Sequence, residues 1–147
     1  MQANNISLNV VTASARVQQP ARLAHRILVA DDDIPILQLN VKALSVSGYH
    51  VQAVEDGDAA WEALIAVKYD LLITDNNMPK MTGLELIQRL HTARVALPVI
   101  LATGLVPEYE FEKNPLLKPA AILLKPYSMD KLLGTVREVL GTVGLLL

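Results

Sequence analysis

Arg26-Ile27-Leu28-Val29-Ala30-Asp31-Asp32-Asp33-Ile34-Pro35 is the stretch on which the fold turns. Four apolar residues run unbroken and stop at three acids, as a strand covered on both faces does when it surfaces at its carboxyl end. Asp33 then stands as an N-cap, with Pro35 in the first turn of a helix whose Leu37, Val41 and Leu44 recur at i, i+4 and i+7. Gly48 ends that helix.

The alternation continues along the chain. His50–Val54 reads as a second strand, Asp56-Gly57 as a turn, and Asp58 as the cap of a helix bearing Ala60, Leu64 and Val67 on one face. Leu71–Thr74 is a third strand, followed by a loop from Asp75 to Thr82 and a helix from Gly83 with Leu84, Ile87 and Leu90 inward. Pro98–Thr103 and Ile122–Leu124 complete the strands, and Ser128 or Asp130 caps a last helix through about Leu140. Alternating strands and helices predict an α/β domain with a parallel sheet and helices on both faces.

In open sheets of this kind ligands bind beyond the carboxyl ends of the strands, where the strand order reverses. For the order 2-1-3-4-5 that crevice lies between strands one and three, where Asp31, Asp32 and Asp75 would meet. Thr103 would approach from strand four and Lys125 from strand five. Burying a charge costs several kcal/mol unless it is paired or metal-bound, so three strands ending in charges point to one shared site. A divalent cation and a phosphoryl group suit it.

Composition narrows the classes. At 147 residues and 52% hydrophobic, with one Trp and one Phe, the chain suits one compact domain with an aliphatic core. No cysteine occurs, which excludes disulfides and thiolate metal sites and fits a reducing cytoplasm. Met1–Ala15 lacks a basic start and is interrupted by Asn4, Asn5, Ser7 and Asn9, so it does not read as a signal peptide. No stretch approaches the roughly 20 apolar residues that a membrane span needs. The net charge of −2 hides an asymmetry: residues 1–26 hold Arg16, Arg22 and Arg26 and no acid, leaving 10 basic against 15 acidic residues beyond. An acidic body argues against direct nucleic-acid binding. His25, His50 and His91 show no metal-ligand spacing.

Five stretches taken together resemble a known family: Ile27–Asp33, Tyr69–Asp75, Met78-Pro79-Lys80-Met81-Thr82-Gly83, Leu101-Ala102-Thr103 and Leu124-Lys125-Pro126-Tyr127, with Lys125 22 positions after Thr103. In this order they resemble the receiver domains of response regulators in two-component signal transduction, of the stand-alone type. The resemblance implies a flavodoxin-like five-stranded sheet in which Asp75 accepts a phosphoryl group. It implies Mg²⁺ held by Asp32, Asp75 and the backbone carbonyl of Asn77, with Asp31 supporting the metal through water. Thr103 and Lys125 would contact the phosphoryl oxygens. A sensor histidine kinase or histidine phosphotransfer protein would be the donor, and an unnamed protein the target; a homodimer stays open. The receiver is then a switch rather than an enzyme, beyond phosphorylating itself from small donors and dephosphorylating itself.

The chemistry is coherent on its own terms. Attack of a carboxylate on a phosphoryl group brings two negative centres together, and a cation has to bridge them. Mg²⁺ prefers oxygen donors and keeps waters, which suits two carboxylates and one carbonyl. Lys125 adds a positive charge and Thr103 a hydrogen bond.

Competing readings remain at several positions. Asp33 alone serves as a cap, Asp75 could form a turn ahead of Asn76-Asn77, and Thr103 could be only a β-branched strand end. Lys118 repeats the Leu-Lys-Pro pattern of Lys125 but lacks the preceding strand and the following capped helix. Two other functions fit part of the pattern: a degenerate receiver acting as an unphosphorylated scaffold, and a haloacid dehalogenase-like phosphatase using Asp31 and Asp33. The phosphatase would need a substrate cap and a second acidic motif.

The chain departs from the family pattern where receivers signal. Ile122 stands where receivers commonly place a switch aromatic, and Gly104 where a small residue such as Ala is more usual. Pro107, Pro115 and Pro119 predict a short or distorted fourth helix. The domain is expected over 25–141, with 1–24 as a leader in which Ile6, Leu8 and Val10 alternate, and 142–147 as an apolar tail with no output domain after it.

Overall fold

The computed structural model describes residues 24–146, with side chains as far as Gly141. Five strands, β1 (Arg26–Ala30), β2 (His50–Val54), β3 (Leu71–Asp75), β4 (Val99–Thr103) and β5 (Ala121–Leu124), form one parallel sheet in the order β2-β1-β3-β4-β5. The expected order is therefore observed. Between the strands run α1 (Ile34–Val46), α2 (Gly57–Ala66), α3 (Gly83–Thr92) and α4 (Glu108–Lys113), and α5 (Met129–Leu146) follows β5. The apolar alternation at Ile6, Leu8 and Val10, read as part of a leader, lies outside the described residues.

Successive strand residues point to opposite faces, and this splits the core into two layers. Ile27, Val29, Ile73, Ile100 and Leu123 pack with Leu37 and Leu44 of α1 and Leu132, Val136 and Val139 of α5. On the other face Leu28, Leu72 and Val99 meet Ala60 and Ala63 of α2 and Leu86, Ile87 and Leu90 of α3. β3 and β4 are buried along their whole length, whereas the edge strand β2 is mostly exposed. Each fully buried Leu or Ile contributes roughly 1.5–3 kcal/mol, which makes the two aliphatic layers the main stabilising element.

Several boundaries differ from the sequence expectation. α2 is capped by Asp56, whose side chain accepts from the Ala59 N–H, while Asp58 falls in the first turn. Its buried face is Gly57, Ala60 and Ala63, with Val67 40% exposed just past the helix end. In α3 the buried face is Leu86, Ile87 and Leu90, and Leu84 is only partly covered. Ser128 rather than Asp130 caps α5, accepting from the Lys131 N–H at 3.0 Å, and the helix continues to Leu146. The short fourth helix is as expected: α4 has 6 residues, and Asn114 leads directly into a 3₁₀ turn at Pro115–Leu117. Pro107 and Pro115 bracket it, each lacking a donor and disfavouring helix in the residue before it.

Register sets the site. Ala30 pairs with Thr74, Asp75 with Ala102, and Thr103 with Leu124, so β1, β3, β4 and β5 end on one rim. The residue that follows each strand is therefore delivered to the same edge. No helix among the described residues is long and apolar enough to cross a membrane.

Candidate functional site

At that rim Asp31, Asp32 and Asp75 converge, each offering a carboxylate oxygen within 4.8 Å of the others. Asp31 and Asp75 are buried; Asp32 is exposed. Asp31 spends one oxygen on the Asp33 N–H at 2.9 Å, and its other oxygen meets the Lys125 ammonium at 3.2 Å. The same ammonium lies 3.0 Å from Asp75 Oδ1. Lys125 is thus the lysine of the site, and Lys118 stands exposed elsewhere in the chain. Asp33 caps α1, accepting from the Ile36 N–H at 3.3 Å, and is not among the three converging acids.

Electrostatics follow from this geometry. Burial pushes the Asp75 carboxyl above its ordinary value, and the hydrogen bond and charge of Lys125 offset that only in part. At Lys125 burial pulls downward, but the Asp75 hydrogen bond with the charges of Asp31 and Asp75 outweighs it, and the net direction is up. The ammonium is held charged between two acids. Hard oxygen donors in a three-carboxylate cluster open to solvent through Asp32 are a donor set that fits Mg²⁺, which takes carboxylates and retains water.

Thr103 reaches the rim but its hydroxyl is engaged in the next turn. It donates to the Leu105 carbonyl at 2.8 Å and accepts from the Leu105 N–H at 3.2 Å. Asn77 is exposed two residues after Asp75. The loop between Asp75 and α3 is held from both ends. A Cβ on Gly83 would stand 2.7 Å from the Asp75 carbonyl oxygen, and one on Gly57 would stand 2.2 Å from the Met81 carbonyl oxygen. Only glycine permits these two approaches. Lys80, with a left-handed φ of 70°, pairs with Asp56 at 3.5 Å across the same contact.

Two residues of this region were given no role by the sequence, Asn40 and, within the Leu124-Lys125-Pro126-Tyr127 stretch, Tyr127. Asn40, 1% exposed on the inner face of α1, donates from Nδ2 to the Tyr127 hydroxyl at 2.7 Å. Burial raises the Tyr127 phenol above its ordinary value, against the Asn40 hydrogen bond, and Asp31, Lys125 and Asp75 all act on it electrostatically. The readable signal was a polar residue between Leu37 and Leu44 on an otherwise apolar stripe.

Comparison with known proteins agrees with the geometry. The family model for the response regulator receiver domain matches residues 27–137. The response regulator receiver protein CpdR of Brucella abortus is 33% identical over 115 residues, covering 78% of this chain and 96% of CpdR. The sensor protein EvgS of Escherichia coli K12 is 36% identical over 129 residues, 86% of this chain but only 11% of EvgS. Among solved structures, the Francisella response regulator 1452 receiver domain superposes with a TM-score of 0.74 at 26% identity, covering 81% of this chain and 98% of that one. Vibrio cholerae CheY4 gives 0.71 at 28% identity, covering 79% and 98%. Three acids and one lysine meet at the strand ends of a 2-1-3-4-5 sheet, and the match takes in the carboxyl end of every one of those strands; the chain belongs to the response regulator receiver domain family of two-component systems.

Proposed function

We propose that this receiver is a phosphorylated switch in which Asp75 takes a phosphoryl group from a phosphohistidine on a sensor histidine kinase or a histidine phosphotransfer protein. The observation that carries this reading is Lys125 bridging Asp75 and Asp31 while Asp32 stands within ligand distance of both acids. An Asp75 oxygen attacks phosphorus; a P–O bond forms as the P–N bond breaks, and the electron pair returns to the imidazole nitrogen, which takes up a proton. Lys125 then holds an oxygen of the transferred group, and Thr103 supplies a hydrogen bond once its hydroxyl turns from Leu105. Mg²⁺ bound by Asp32, Asp75 and the Asn77 carbonyl, with Asp31 acting through water, would neutralise the charge that builds between nucleophile and phosphoryl group.

The unit that does this is residues 25–141, and its output is a protein–protein contact in the cytoplasm rather than catalysis or direct binding of nucleic acid. Incubating the full chain with acetyl phosphate, with and without Mg²⁺, and measuring intact mass tests the reading. A Mg²⁺-dependent gain of about 80 Da that disappears in Asp75→Asn supports it. No gain in the presence of bound Mg²⁺ would instead favour an unphosphorylated scaffold.

A further inference from the structure

Lys125 lies one residue beyond β5, outside the ladder of strand hydrogen bonds. Its backbone N–H donates to the Thr103 carbonyl at 2.9 Å, which ties down one side of the loop. A lysine side chain has four rotatable carbons and loses about 2 kcal/mol of rotamer freedom when fixed, so aiming its ammonium between two carboxylates calls for a second anchor close by. Tyr127, two residues on, packs against the α1–α5 core layer and receives the Asn40 hydrogen bond.

Asn40 is a poor choice for packing alone. It sits on the buried stripe of α1 with Leu37 and Leu44, and its Oδ1 is the buried side-chain polar atom without a hydrogen-bond partner among the described residues. Reversing the amide would only exchange which end goes unmet. Leaving a buried polar group unpaired costs about 1–3 kcal/mol, whereas a leucine of similar volume would add apolar burial there. The single bond that Asn40 makes leads to the phenol of Tyr127, two residues after Lys125 in the same loop.

We propose that Asn40, acting through Tyr127, is a positioning residue that aims the Lys125 ammonium between Asp31 and Asp75. The proposal deepens the phosphoacceptor reading and rests on it for its functional meaning, but it concerns an arrangement that can be tested without phosphorylation. The two side chains are 87 positions apart in sequence and join α1 to the loop after β5. Loosening that joint frees the lysine while the strands remain paired.

The test compares wild type, Tyr127→Phe, and the double variant Asn40→Leu/Tyr127→Phe, all as full chains. The double variant removes the buried polar pair together and so protects against a simple failure to fold, because replacing both partners by apolar groups is close to neutral. Competitive acetylation with trace acetic anhydride, read by peptide mass, reports how well Lys125 is held, with the exposed Lys118 as internal reference. Lys125 should react on the order of tenfold more slowly than Lys118 in wild type, and should approach the Lys118 rate in both variants. The initial rate of phosphorylation by acetyl phosphate should fall on the order of fivefold in both variants, with the calorimetric Mg²⁺ affinity no weaker than in wild type. A folded double variant whose Lys125 stays as protected as in wild type overturns the proposal. If wild type takes up no phosphoryl group, the phosphoacceptor reading fails while the acetylation result still decides the positioning role.

Discussion

The Lys125 ammonium stands 3.0 Å from Asp75 Oδ1, a contact between residues 50 positions apart that closes the strand-end rim around one buried acid. Because the same nitrogen also lies 3.2 Å from Asp31, it occupies the electrostatic place that a bound cation would share.

Removing that ammonium should have opposite effects on stability and on metal binding. Lys125→Met leaves Asp31 and Asp75 buried without a positive partner, a change that costs about 3–5 kcal/mol in a fully buried pair. Lys125 keeps 26% of its side chain in solvent, which screens the pair and brings the expected loss to about 1–2 kcal/mol. Mg²⁺ should bind severalfold more tightly to the variant and restore most of the lost stability. Urea unfolding with and without Mg²⁺ measures both effects. A loss of stability that Mg²⁺ leaves untouched would argue against a shared cation site.

Asp32→Asn should do the reverse. Asp32 is exposed and has neither of the Lys125 contacts, so in metal-free protein its charge only adds to that of Asp31 and Asp75. Neutralising it should leave stability unchanged or raise it by a few tenths of a kcal/mol, while Mg²⁺ affinity falls by tenfold or more. Calorimetric titration of Mg²⁺ into both proteins decides the matter, and equal affinities would remove Asp32 from the metal site.

The sheet was legible because its inner strands are covered on both faces, which leaves runs such as Leu71-Leu72-Ile73 apolar without interruption and bounded by Asp70 and Asp75. Boundaries within turns were less so. Asp56-Gly57-Asp58 offers two caps, and the choice is made by the extended backbone of Asp56, with φ −150° and ψ 169°, which points its carboxylate at the Ala59 N–H. The acids and Lys125 could be placed from strand ends alone. The engagement of the Thr103 hydroxyl with Leu105 and the pairing of Asn40 with Tyr127 depend on loop conformation and packing, and neither leaves a periodic trace in sequence.

Asp56 gives a pH-dependent contribution whose sign is fixed by its partners. The Ala59 N–H, opposed by desolvation and aided by Lys80, holds its carboxyl below the ordinary 3.8. A depressed folded value means that the contribution is present above 3.8 and is lost as pH falls through the folded value. Asn retains the cap but not the charge, so the advantage of wild type over Asp56→Asn should be level between about pH 7 and pH 5 and should shrink below about pH 4. Urea midpoints of the two proteins across that range measure it; a gap that widens toward acid would contradict the assignment.

Two glycine substitutions should move stability in opposite directions, because one glycine stands against backbone and the other against solvent. At Gly57 a methyl group would meet the Met81 carbonyl oxygen at 2.2 Å, and since that atom belongs to the backbone, the loop after Asp75 would have to shift as a whole. Gly57→Ala should therefore cost about 3 kcal/mol, at the upper end for forced overpacking, and should weaken Mg²⁺ binding as the loop carrying Asn77 moves. Gly141, within α5 and with nothing within 4 Å of its added Cβ, carries only the helix penalty of glycine. Gly141→Ala should raise stability by about 0.5–1 kcal/mol and leave Mg²⁺ affinity unchanged. Urea unfolding and Mg²⁺ titration of the two variants side by side test both signs. If Gly57→Ala kept wild-type Mg²⁺ affinity while losing stability, the contact with Met81 would support the fold without shaping the site.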